Sequence, residues 1–228
     1  MRIPAALMTL ALFAAPAAAA PLSAGPAAPA PACAPAVPAD VQVRTPPMEV
    51  AFQQVEDPVR YAPFPKAMES SLGPGWTING LTVVKPLVKT QIYTADTQAG
   101  GKACVWVTKV NVSFGFYEPA NIYVSNRYKP GTCEFETIRN HENQHVGIHV
   151  NTRLKHVPLM RDRIQAAIAK LGPVAAGDVP AATARIQAAI SDAVDDGLKG
   201  YRVESGTLSG MIDSTESYLQ LQSRCSNW

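Results

Sequence analysis

Two periods of apolar residues divide this chain. From about Val41 to Ser125 they recur at every second position or in short runs, the spacing of strands. Val50-Ala51-Phe52, Leu81-Thr82-Val83-Val84, Thr90 to Tyr93, Ala103 to Val107, Val110 to Phe116 and Ile122-Tyr123-Val124 are rich in β-branched and aromatic side chains. Gly73-Pro74-Gly75, Asn79-Gly80 and Gly100-Gly101 separate them as turns. Connections this short predict mostly antiparallel pairing. From Cys133 onward the period lengthens to that of helices. It predicts four of them, over about 134–156, 159–171, 181–199 and 208–222, with Pro158 breaking the first from the second. The expected fold class is α+β, with an antiparallel, β-rich N-terminal half and a helical C-terminal half.

The first predicted helix carries His141-Glu142-Asn143-Gln144-His145, an H-E-x-x-H motif. Histidines four residues apart share one helix face and stand about 6 Å apart along its axis. Both rings reach one zinc ion at bonds of roughly 2.0–2.1 Å. Glu142 then lies beside the ion, where it can take a proton from an attacking water. The chain has four histidines, all between His141 and His156. On a 3.6-residue helix, His141, His145, His149 and His156 fall within about 80° of one another.

Catalytic zinc needs a third protein ligand. His149 is one candidate, but on an intact helix it lies about 12 Å from His141. It can ligate only if the helix breaks at Gly147. Downstream carboxylates are the alternative. Leu208, Met211, Ile212, Thr215 and Leu219 form the apolar stripe of the last predicted helix. Glu216 sits at the border of that stripe, where an unpaired charge is poorly solvated. Asp213 points further towards the polar side. Glu216 is therefore the first choice for the third ligand and Asp213 the second. Tyr218, Tyr201, Tyr128 and Arg127 are candidate stabilisers of an oxyanion.

Composition narrows the setting. Met1-Arg2 and the apolar run from Ile3 to Phe13, followed by alanines, read as a signal peptide over residues 1–19. An Ala/Pro-rich tether over 20–39 follows, and then a single domain over 40–228. This places the chain in the periplasm or outside the cell. Net charge is +2, and no basic run carries interleaved aromatics, which argues against nucleic acid. No second apolar run is long enough to span a membrane. Four cysteines in an exported chain favour disulfides. The preferred pairing joins Cys104 to Cys133, leaving Cys33 and Cys225.

Tyr128-Lys129-Pro130-Gly131-Thr132-Cys133-Glu134-Phe135, with Glu142 seven residues on inside H-E-x-x-H, resembles the predicted secreted zinc-dependent proteases of Gram-negative bacteria. More broadly the chain resembles the zincin class. The resemblance is strongest over residues 100–157. It implies a zincin-like fold, one zinc ion, His141 and His145 as ligands and Glu142 as base. The metzincin G-x-x-H spacing and a gluzincin N-E-x-x-S-D helix are both absent, so the third ligand stays open. The expected function is an exported zinc metallopeptidase acting on a peptide or protein, held by strand addition along Asn121 to Val124. The alternative is a non-catalytic envelope protein that binds metal or serves a structural role.

Overall fold

A computed structural model describes Cys33 and residues 38–63, 77–117 and 119–228. The signal peptide and most of the tether expected over 1–19 and 20–39 lie outside the described residues. The fold is mixed α+β, β-rich first and helical after, as the two hydrophobic periods predict.

Among the described residues, seven strands form two sheets. In the first, β5 (Lys102–Phe116) is central and pairs along its length with β4 (Pro86–Ala99). Its other edge carries β1 (Asp40–Arg44) and β7 (Val174–Ala176). Gly100 and Gly101 close the β4–β5 hairpin at φ 59° and 73°. That left-handed pair is the backbone of a two-residue hairpin turn, which suits glycine. A register shift between Tyr93 and Thr94 changes which face of β5 is buried. Ala103, Val105 and Val107 point inward before it, and Val110, Val112 and Phe114 after it. Without that bulge one of the two triplets would face water.

The second sheet has the order β2 (Val50–Val55), β6 (Ala120–Ser125), β3 (Gly80–Val83). The expectation of mostly antiparallel pairing holds for β4–β5, β5–β7 and β3–β6. It fails for β1–β5 and β2–β6, which are parallel. Their paired residues lie 69 and 70 positions apart in sequence, and a long connection lets strands run the same way. The substrate edge expected at Asn121 to Val124 is also corrected. Those residues belong to β6, which is paired on both sides. Among the described residues, the outer edge of β3 has no strand partner.

Three helices follow: α1 (Cys133–Leu171), α2 (Val179–Ile212) and α3 (Thr215–Gln222). Thr132 caps α1 by accepting from the Phe135 amide, with Glu134 and Glu136 in the first turn. Pro158 does not end the helix. It lies on the exposed side, where the carbonyl it orphans reaches water. Its neighbours Met160 and Ile164 are fully buried against the first sheet and α2. Likewise α2 runs on through Gly197 and Gly200. Both are close-approach positions, because a Cβ would meet Met160 at 3.2 Å and His156 at 3.1 Å. Glycine there weakens the helix by about 1 kcal/mol but lets α1 and α2 pack closely.

The first sheet and the α1–α2 pair share the main core. The second sheet packs Ile122 and Val124 on Phe135 and Ile138, on the turns of α1 just before the motif. Two disulfides are present, Cys33–Cys104 and Cys133–Cys225. They replace the expected Cys104–Cys133 bond. The start of α1 is instead tied to the C-terminus, which sequence spacing does not reveal. No described helix is long and apolar enough to cross a membrane.

Candidate metal centre

The motif side chains lie where α1 passes beneath β3 and the end of α2. His141, Glu142 and His145 are all buried, at 4, 4 and 8% exposure. His141 Nε2 and His145 Nε2 each lie 3.0 Å from Asp213 Oδ1. The Tyr218 hydroxyl donates to the same oxygen at 2.9 Å. His141, His145 and Asp213 thus offer three ligand atoms within 4.8 Å of one another. Neighbouring ligands on a tetrahedral zinc with bonds of about 2.05 Å are roughly 3.3 Å apart. The two separations from Asp213 are within a few tenths of an ångström of that value, and all three atoms lie within 4.8 Å, so the group could hold a single ion.

Glu216, the first choice for the third ligand, does not join this group. It is exposed in the first turn of α3. Asp213, the second choice, takes the place. It caps the C-terminus of α2, and the chain turns there before Ser214 caps α3. The stripe argument assumed one helix across this point, whereas the break swings Asp213 towards α1. His149 does not join the group either. The helix is unbroken at Gly147, and His149 Nδ1 instead lies 2.8 Å from the Tyr201 hydroxyl. His156 pairs with Glu204 at 3.0 Å, two turns further along.

Electrostatics follow from this packing. Burial works to raise the Asp213 carboxyl, but hydrogen bonds from His141 and His145 and the charge of His145 outweigh it. Asp213 is held well below the usual carboxylate range. Burial also opposes protonation of His145, yet Asp213 and then Glu142 push its pKa upward. Glu142 is raised by burial, against the opposing pull of His145 and His141. A raised carboxylate is suited to receiving a proton near neutral pH. Burial, and then the Asp213 charge, push the Tyr218 phenol up, so it stays a donor.

Glu142 has a partner that the sequence did not reveal. The Thr82 hydroxyl lies 2.8 Å from Glu142 Oε2 and 3.0 Å from its backbone carbonyl. Gly80, two residues earlier on β3, packs against Glu142 so closely that a Cβ would collide with Oε1. Asn79-Gly80 is therefore not a turn. Gly80 opens β3, and its missing side chain admits the carboxylate. A glycine at the head of a β-branched run is the only sequence signal, and a turn reads the same way.

A cavity of about 370 Å³ opens beside these residues, between β3 on one side and α1 and α2 on the other. Glu142, His145, His149, Tyr201, Ser209, Asp213 and Tyr218 reach it, with Thr82 and Val84 opposite. Of the candidate oxyanion stabilisers, Tyr218 stands at the centre. Tyr201 also lines the cavity, with its hydroxyl paired to His149. Tyr128 is buried in the core of the second sheet, and Arg127 is exposed in the turn before it. No family model, curated protein or solved structure matches this chain.

Proposed function

We propose that this chain is an exported zinc metallopeptidase, similar to the secreted zinc-dependent proteases whose motif it shares. The observation that carries the reading is the meeting of His141, His145 and Asp213 at one point, with the buried carboxylate of Glu142 beside it. Two imidazoles and a carboxylate are a common catalytic donor set for zinc, and they leave a coordination position open. A zinc ion held there would supply Lewis acidity, polarising the carbonyl of the bond to be cut.

The chain's own residues would do the rest. A substrate strand pairs along the outer edge of β3, in place of the edge expected at β6. That lays it over the cavity, with its backbone between β3 and α1. Glu142, held by Thr82, accepts a proton from water as the water oxygen bonds to the carbonyl carbon. The C–N bond then breaks, and Glu142 returns the proton to the leaving nitrogen. Tyr218 keeps its proton and donates to Asp213, which orients that carboxylate. The two disulfides fit an oxidising compartment.

Glu142→Gln tests this reading, because it removes the base and keeps the donor set. The variant is expected to bind zinc as wild type does while hydrolysis of a random peptide library falls about 10²–10⁴-fold. Wild-type rates in the variant would defeat the mechanism. If neither protein cleaves any peptide while both bind zinc, the non-catalytic metal-binding alternative stands instead.

A further inference from the structure

His149 lines the cavity but has no part in the chemistry above. It stands one turn beyond His145 on α1, about 6 Å further along the axis. Its Nδ1 meets the hydroxyl of Tyr201, which is 1% exposed. Of the two groups the phenol is the stronger acid and the imidazole nitrogen the stronger base, so the Tyr201 O–H donates and Nδ1 accepts. The proton of the neutral ring is then fixed on Nε2. Burial, and next the charge of His145, lower the His149 pKa to about 4, which keeps the ring neutral at pH 7. Nε2 has no hydrogen-bond partner among the described residues and is not sealed in the core. It is an unpartnered donor on a residue that lines the cavity.

An extended peptide has a matching repeat. Carbonyls two residues apart point the same way and lie about 6.6 Å from one another. A strand whose scissile carbonyl sits at the His141–His145–Asp213 point therefore brings a second carbonyl near His149. We propose that the Nε2–H of His149 donates a hydrogen bond to the main-chain carbonyl two residues from the scissile one, making the preferred substrate an extended peptide, not a dipeptide or a small amide. The inference rests on the peptidase reading and adds a substrate class to it.

The test pairs a change in the protein with a change in the peptide. The probe is an internally quenched decapeptide, chosen from a random library for cleavage by the zinc-loaded full chain. In two analogues, the amide bearing the carbonyl two residues before or two residues after the scissile one becomes an (E)-alkene. With wild type, one analogue is expected to lose at least about tenfold in kcat/KM. With His149→Ala the parent peptide falls by a similar factor, and that same analogue costs less than about threefold more. Peptide Kd values measured in a Glu142→Gln background should show the same non-additivity.

His149→Ala leaves the Tyr201 hydroxyl without its acceptor. If that variant does not fold, the His149→Ala/Tyr201→Phe double variant removes both partners and takes its place. Additive losses, or a wild type indifferent to both analogues, would overturn the role of His149. That result, with Glu142→Gln inactive, leaves the peptidase reading standing. Undiminished hydrolysis by Glu142→Gln defeats the reading itself.

Discussion

Asp213 is where the backbone leaves one helix and prepares for the next, and that junction lets its carboxylate serve α1. One oxygen meets His141, His145 and Tyr218 at 2.9–3.0 Å. Glu216, three residues later, is turned to water. Asp213→Ala is therefore expected to weaken zinc binding at least about a hundredfold, roughly 2.7 kcal/mol, and Glu216→Ala less than about threefold. Zinc titration of both variants against a chelating dye decides it. Equal effects would mean that the donor set is not the one the geometry gives. His141, Glu142 and His145 were legible in the sequence because one helical period fixes all three. Asp213 was legible only as a second choice. Its position depends on where α2 ends, and the apolar stripe ran through that point without marking it. Thr82 left no mark either, because a threonine in a strand needs no further explanation.

Between elements, the contact that matters is β3 on α1. The sequence predicted both, but not that one would hold the other's buried carboxylate, Glu142. Periodicity reports which face of a strand is buried and says nothing of which helix covers it. The same limit explains the helix boundaries. Pro158 read as a break and the third predicted helix stopped at Lys199, just before Gly200, and packing between α1 and α2 overrode both. At Gly80 the contact is tight enough to be tested. A Cβ there would meet Ile138 Cγ2 at 2.6 Å as well as the Glu142 carboxylate. Either β3 lifts from α1 or Glu142 leaves Thr82. Gly80→Ala is expected to lower the unfolding free energy by about 1–3 kcal/mol in chemical denaturation. Gly147→Ala, in the same motif helix but with open space around its Cβ, should leave it unchanged or raise it by up to about 1 kcal/mol. Equal stability of Gly80→Ala and wild type would show that the contact is loose.

At the largest scale, the site is assembled from segments up to 136 residues apart, from Thr82 to Tyr218. No single core holds them. Asp213 and Tyr218 come from the C-terminal end, beyond the buried stretch of α2. That end is fastened back to the start of α1 by the Cys133–Cys225 bond. Nearby, the Asn227 amide donates to Glu134 Oε1 at 2.9 Å, and Trp228 packs edge-on against Tyr128. The disulfide thus bears on the candidate metal centre by fixing α3, which carries Tyr218, and the turn that carries Asp213. Cys33–Cys104 closes a shorter loop, with a sequence separation of 71 against 92, and is anchored on β5 of the first sheet. The two bonds should therefore separate stability from site geometry. Replacing either pair by serines is expected to destabilise the fold by about 2–5 kcal/mol. Only the Cys133→Ser/Cys225→Ser variant should also weaken zinc binding, by at least about tenfold, under conditions where both variants stay folded. Circular dichroism establishes the folded fraction, and the dye titration reads the affinity. Equal zinc affinity in the two double variants would show that α2 alone positions Asp213 and that the C-terminal fastening serves stability only.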